Sequence, residues 1–171
     1  MFLAPLVLRL GQKVPEFSLP DADRNMRSLG EFTKEGPVAL AFFPFAFSGT
    51  CDKEMCTFRD GFGAFQGAGA QLIGISVDST YALKAFAQTY NLQFPLLSDF
   101  NKKVIRLYGV MQNPWVALGY REVAKRAVMV IDQRGALRYR WASDAPSEEP
   151  PYQEVSKAVQ KLAGTSPLRK K

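Results

Sequence analysis

Val38-Ala39-Leu40-Ala41-Phe42-Phe43 is an apolar run of strand length with no polar alternation. A strand of this kind has no face to offer water, so it reads as the central strand of a sheet covered on both faces. Residues 72–78 read as a second buried strand. Residues 126–132 read as a third, joined through the turn Gln133-Arg134-Gly135 to a hairpin partner over residues 137–141.

Helical periodicity fills the segments between them. Met55, Phe58, Phe62 and Phe65 recur at spacings of three, four and three, which is one helix face, so a helix is predicted over residues 51–65. Gly61, Gly63, Gly67 and Gly69 loosen its second half. Ser79 is the predicted N-cap of a helix over residues 80–90. Residues 102–108 read as a short helix closed by Gly109. Residues 152–162 read as a last helix that follows Pro150-Pro151 and ends at Gly164. Residues 28–32 read as a helical turn, residues 94–99 as a short extended piece, and residues 111–120 as a loop containing Pro114 and Trp115. Pro15, Pro20 and the cluster Asp21-Ala22-Asp23-Arg24-Asn25 mark turns between short extended pieces. The fold class expected from this order is α/β, a central mixed β-sheet flanked by helices, in one domain over residues 1–171.

Bulk properties remove several function classes. Two cysteines in 171 residues are too few for a disulfide scaffold. The net charge of +6 is scattered, apart from Arg169-Lys170-Lys171, and scattered charge is a solvated surface rather than a nucleic-acid stripe. Residues 1–8 are apolar but short, without the basic start and small-residue cleavage site of a signal peptide, so they read as a first strand or a loose terminus. No stretch approaches the roughly 20 apolar residues of a membrane span. The expected location is cytoplasmic, with neither nucleic acid nor membrane as a partner. The chain has no histidine. That excludes Cys-His dyads, Ser-His-Asp triads and most catalytic zinc sites.

Both cysteines lie in the stretch from Pro44 to Asp60. Cys51 stands where the apolar strand hands over to the predicted helix. Unpaired N–H groups and the positive end of the helix dipole meet there, an environment that stabilises the reactive thiolate.

The stretch Pro44-x-x-x-Ser48-x-x-Cys51 resembles the active-site signature of peroxiredoxins, thiol peroxidases on a thioredoxin-like fold. The segments Leu10-Gly11-x-x-Val14-Pro15-x-Phe17-x-Leu19-Pro20-Asp21, Phe58-Arg59-Asp60, Ile75-Ser76-Val77-Asp78, Phe94-Pro95-Leu96-Leu97-Ser98-Asp99 and Arg126-Ala127-Val128-Met129-Val130-Ile131-Asp132 are similar to further family segments in the family's order. The resemblance implies Pro44, Ser48, Cys51 and Arg126 as the catalytic set, and Glu54 as the glutamate that orients the arginine. It implies no metal or organic cofactor.

The chemistry of these side chains agrees. A guanidinium at Arg126 is a permanent cation with several donors, able to favour a thiolate and grip a peroxide oxygen; Lys125 is the neighbouring alternative. The Ser48 hydroxyl can donate to one peroxide oxygen and accept a proton from the other, or serve only as a helix cap. The N–H groups of Thr50 and Cys51 can hold developing negative charge. Pro44 offers no N–H and shapes the loop. Arg59 reads equally as a solvated helix charge and is assigned no catalytic role. Phe42, Phe43, Phe45 and Phe47 read as core and pocket wall rather than a cofactor site.

Cys56 carries two readings. The spacing Cys51-x-x-x-x-Cys56 resembles the bacterioferritin-comigratory or Q-type branch, in which the second cysteine resolves the first. Phe43-Pro44-Phe45-Ala46-Phe47-Ser48-Gly49 is similar to the AhpE branch, whose founding members use one cysteine. Five residues of helix separate two Cα atoms by about 8–9 Å. A disulfide needs them within about 7 Å, so a resolving Cys56 requires local unwinding. The implied activity is reduction of hydrogen peroxide or an alkyl hydroperoxide by Cys51. An internal Cys51–Cys56 disulfide and reduction by thioredoxin or a similar dithiol would complete the cycle. The alternatives are a one-cysteine peroxidase or a peroxide sensor without turnover. Phe45 and the Trp115 loop could form a homodimer edge, with a monomer as the open alternative.

Overall fold

The computed structural model describes residues 7–113 and 118–163. Met1–Leu6 of the apolar start, Trp115 and Gly164 lie outside the described residues. A short hairpin comes first, pairing β1 (Ser18–Pro20) with β2 (Met26–Ser28). Its turn forms because the Asp21 carboxylate accepts the N–H groups of Asp23 and Asn25, each at 2.9 Å. Ser28 caps α1 (Leu29–Glu35), accepting the Glu31 N–H at 3.2 Å. The helical turn read at residues 28–32 is thus a seven-residue helix.

The apolar run becomes β3 (Val38–Phe42), buried along its whole length. β3 is the middle of a five-stranded sheet whose other members are β4 (Gln71–Ser76), β5 (Leu96–Ser98), β8 (Arg126–Ile131) and β9 (Leu137–Ser143). The order is β5-β4-β3-β8-β9. β3, β4 and β5 run parallel, while β8 is antiparallel to β3 and β9 antiparallel to β8, so the sheet is mixed as expected.

Alternation along β3 divides the core into two layers. Leu40 and Phe42 face one side with Ile73, Ile75, Met129 and Tyr108. Ala39, Ala41 and Phe43 face the other, where α2 (Gly49–Asp60), α4 (Thr80–Thr89) and α6 (Tyr152–Ala163) bring Met55, Phe86 and Val155. A small two-stranded sheet of β6 (Met111–Gln112) and β7 (Val123–Ala124) replaces the start of the expected loop. α5 (Lys103–Leu107) lies between β5 and β6, closed by Gly109 at φ +66°.

One expected element divides. The helix read over residues 51–65 is two helices, α2 and α3 (Phe62–Gly67), broken at Gly61. It also starts at Gly49, two residues before Cys51. Glycine lowers helix stability by about 1 kcal/mol against alanine, and the packing of Phe58 against Phe65 at 6.2 Å tolerates the break. The apolar spacing of three and four survived the break, which is why it could be read as continuous.

Register aims the active end. Phe42 pairs with Ala127 in the antiparallel ladder, so the first residue of β8, Arg126, lies beside the carboxyl end of β3. The loop that carries the first cysteine leaves the sheet at that same end. The opposite end depends on a close approach. A Cβ on Gly36 would come within 1.9 Å of the Gly69 carbonyl oxygen. Gly36→Ala is expected to cost about 1–3 kcal/mol or more, read as a lower urea midpoint.

Candidate active site

β3 runs out at Phe42, and the Phe43 N–H still donates to the Ile75 carbonyl at 3.0 Å. Pro44 follows, buried and without an N–H to offer the ladder. The chain then turns through residues 45–48. Asp78, two residues past the end of β4, pins this turn by accepting the Ala46 N–H at 2.8 Å and the Ser76 hydroxyl at 2.7 Å. Phe47 takes a left-handed φ of +63°, unusual for a bulky side chain. Its ring lies edge-on to Phe86 at 5.2 Å, which offsets that strain. Of the four phenylalanines read as core and pocket wall, Phe42 and Phe43 are fully buried, Phe45 is partly buried edge-on to Tyr120, and Phe47 is half exposed.

Ser48 occupies the N-cap position of α2, but its side chain makes no cap hydrogen bond. Its hydroxyl donates to the Phe45 carbonyl at 3.1 Å and stands within hydrogen-bonding reach of the Cys51 sulfur. The first backbone bond of α2 is from the Asp52 N–H to the Ser48 carbonyl at 2.9 Å. The N–H groups of Gly49, Thr50 and Cys51 precede it, so they are the donors a helix leaves unused at its start. Cys51 is fully buried on the helix face turned towards the sheet.

Arg126 meets it there, 2% exposed. Its Nη2 donates to Cys51 Sγ at 3.3 Å and to the Pro146 carbonyl at 2.7 Å. Its Nε donates to the same carbonyl at 3.2 Å. Its Nη1 donates to Glu54 Oε2 in an ion pair. Glu54 follows Cys51 by three residues on α2, so both side chains project on one side of the helix. It is fully buried, and its Oε1 has no hydrogen-bond partner among the described residues. Lys125, the alternative cation, points away and pairs with Asp144 at 2.5 Å. Cys56 is partly buried on another face of α2, and both cysteines are free thiols.

Protonation follows from burial and charge. Burial pushes the Cys51 thiol up. The Arg126 charge, the Ser48 hydroxyl, the Phe45 backbone and the Arg126 hydrogen bond pull it down, yet the thiol stays above its ordinary range. The expected downward pull of the Arg126 cation on the thiol is present, but with Cys51 shut away from water desolvation outweighs it. Burial also raises Glu54 to about 7, against the opposing pull of Arg126. Burial works against the Arg126 charge, but Glu54 and Cys51 more than offset it and hold its pKa above the usual guanidinium value.

The structure thus brings Pro44, Ser48, Cys51, Glu54 and Arg126 to one end of β3 and leaves Cys56 outside the cluster. Two contributors were not read from the sequence. Asp78 was seen as part of a family segment, with no sign that it holds the loop. Pro146 acts through its carbonyl, for which no side-chain pattern exists. A cavity of about 740 Å3 lies at the far end of the sheet beside Asp132, Leu137 and Lys161, remote from this cluster. Chemically, the cluster can hold a small oxygen-bearing molecule against a sulfur nucleophile, with a fixed cation and helix N–H groups to receive negative charge.

The AhpC/TSA family matches residues 10–140. The chain is 39% identical over 129 residues to the chloroplastic peroxiredoxin Q of Triticum aestivum, covering 75% of this chain and 57% of that one. It is 38% identical over 135 residues to the putative peroxiredoxin bcp of Coxiella burnetii, covering 78% and 88%. The chain thus spans little more than half the length of the wheat relative. The crystal structure of peroxidoxin BcpB from Mycobacterium tuberculosis superposes with a TM-score of 0.79 at 31% identity, covering 94% of this chain and 99% of that one.

Two titrations test the electrostatics. Removing the Glu54 charge leaves the Arg126 cation free for sulfur. In a Cys56→Ser background, Glu54→Gln is therefore expected to lower the Cys51 pKa, read as thiolate absorbance against pH. The raised pKa of Glu54 also gives pH-dependent stability. The stabilising neutral form is fully present below the ordinary value of 4.5 and is lost as pH rises through about 7. Over that interval the urea midpoint of the wild-type chain should fall relative to Glu54→Gln.

Proposed function

The chain belongs to the AhpC/TSA family, and from that membership we propose that it is a thiol peroxidase whose nucleophile is Cys51. The observation that carries the reading is the buried contact of Arg126 Nη2 with Cys51 Sγ at 3.3 Å, with Glu54 on the other side of the same guanidinium. A cation fixed beside a sulfur in a dry site favours charge on that sulfur at the moment a substrate needs it.

In the proposed reaction the Cys51 thiolate attacks the terminal oxygen of hydrogen peroxide or an alkyl hydroperoxide. The O–O bond breaks, the leaving oxygen takes a proton and departs as water or alcohol, and Cys51 becomes a sulfenic acid. Arg126 donates to the peroxide and to the developing anion. Ser48, whose hydroxyl is not used as a helix cap, can turn from the Phe45 carbonyl to the substrate. Pro44 shields the sulfur from water. Thiolate is the minority form in the closed site, so the rate of this step rises with pH towards the Cys51 pKa.

Cys56 then resolves the sulfenic acid as an intrachain disulfide, and thioredoxin or a similar dithiol reduces it by thiolate exchange. Both cysteines lie on one continuous helix, about 8–9 Å apart between Cα atoms, so α2 must unwind in its first turns. That intact helix is also what favours the second reading, a one-cysteine peroxidase reduced directly by an external thiol. Among the described residues no helix is long and apolar enough to cross a membrane. The cytoplasm, which keeps thiols reduced, is the compartment we propose, and a homodimer through the Phe45 edge belongs to the same proposal.

Mass spectrometry after one equivalent of hydrogen peroxide separates the readings. The full chain is expected to lose two hydrogens as Cys51 and Cys56 join, while Cys56→Ser keeps one added oxygen on Cys51. A stable added oxygen on the unaltered chain would establish the one-cysteine cycle instead. With thioredoxin and its reductase, Cys51→Ser should consume no peroxide. Rapid oxidation of Cys51 without steady consumption would identify a sensor.

A further inference from the structure

Tyr90 grips α2 on both sides of Cys56. It stands at the C-cap of α4. Its phenol donates to Asp52 Oδ2 at 2.8 Å, four residues before Cys56. Its backbone carbonyl accepts Arg59 Nη1 at 2.8 Å, three residues after Cys56. Positions four before and three after a helical residue lie on its own face. The hydrogen bond to Asp60 raises the Arg59 pKa and the hydrogen bond to Asp52 raises that of Tyr90, and the Cys56 sulfur lies near enough to both to add a smaller electrostatic contribution.

Each end of the grip is anchored. The Tyr90 ring lies edge-on to the buried Phe86 at 5.2 Å and tilted on Phe47 at 6.3 Å, in the loop that leads to Ser48. Arg59 meets the Tyr90 carbonyl at the C-terminal end of α4, where a cation suits the helix dipole, and is steadied by Asp60 at 2.9 Å. Asp52 has its other oxygen, Oδ1, buried with no partner among the described residues, so its hold on the helix start runs through Tyr90.

We propose that Tyr90 is a positioning residue for the second chemical step: it latches the turns of α2 between Asp52 and Arg59, and their release lets Cys56 reach Cys51. The inference rests on the reading of Cys56 as the resolving cysteine. In that step the Cys56 sulfur attacks the Cys51 sulfur of the sulfenic acid. The S–S bond forms as the S–O bond breaks, and the hydroxyl leaves as water with the Cys56 proton. While the latch is closed, Cys51 stays at Arg126 for peroxide. A sulfenic acid held there is also exposed to a second peroxide, which takes it to the sulfinic acid. The latch therefore sets the division between disulfide and overoxidation.

The test uses the full chain, mixed with hydrogen peroxide and acid-quenched for mass spectrometry, so that sulfenic acid, disulfide and sulfinic acid are timed separately. Tyr90→Phe keeps the ring contacts and removes the Asp52 bond; Asp52→Ala removes the same bond from the other side. Each is expected to form the disulfide roughly three- to tenfold faster and to accumulate less sulfinic acid at high peroxide, with the first step unchanged. Because both remove one shared interaction, the double variant should be no faster than the faster single. General loosening of the fold would instead slow the first step or add up in the double variant, and either result overturns the latch. An unchanged rate of disulfide formation in both single variants overturns the latch and leaves Cys56 as the resolving residue. A full chain that forms no Cys51–Cys56 disulfide overturns that assignment and the latch together.

Discussion

The guanidinium of Arg126 is the group around which the active end is arranged. Four hydrogen bonds engage it, to Glu54, to Cys51 and twice to the Pro146 carbonyl. A buried Arg–Glu pair of this kind is a poor source of stability, because taking both charges out of water costs about what their attraction returns. An apolar pair of equal volume could fill the same space. The ion pair makes sense as chemistry: it keeps a cation dry, fixed and within reach of one sulfur. The same dryness raises the Cys51 thiol and the Glu54 carboxyl, so three groups share a limited supply of charge. Protonation of one changes what the other two can carry.

Delivery of that guanidinium is a matter of strand direction. β3, β4 and β5 run parallel and bring their carboxyl ends to one side. β8 runs against β3, so its first residue, not its last, arrives at that side. A parallel β8 would put Arg126 at the end where Gly36 crosses Gly69. The loop after β9 closes over the guanidinium with the Pro146 carbonyl, held in place where Ser143 accepts the Ala145 N–H at 3.0 Å.

Opposed demands meet in α2. Its first turn must be rigid to present helix N–H groups and Cys51 to a substrate, and its packing through Met55 and Phe58 supplies that rigidity. The same turns must part if Cys56 is to reach Cys51. Gly49 at the start and Gly61 at the end leave α2 bounded by its two weakest helix formers. The polar grip of Tyr90 adds to that packing near both ends of the helix.

Much of the fold was legible because burial imposes period on sequence. The unbroken apolar run over β3, the N-cap Ser79 and the β8–β9 hairpin all follow from local rules that the structure obeys. The break at Gly61 was not read, since helical spacing persists across it. At the site, Cys51 was read from its place at a helix start, and Ser48, Pro44, Glu54 and Arg126 were named with it from the family resemblance; in the structure they do converge. Their identities limit the chemistry to sulfur and a permanent cation, because the chain has no histidine. Folding decided what no local pattern encodes: that Arg126 rather than Lys125 turns inward, that a carbonyl at Pro146 completes its shell, that Asp78 holds the loop, and that burial outweighs the cation at the Cys51 thiol. These depend on strand direction and on distance from water, which are properties of the packed chain and not of any segment of it.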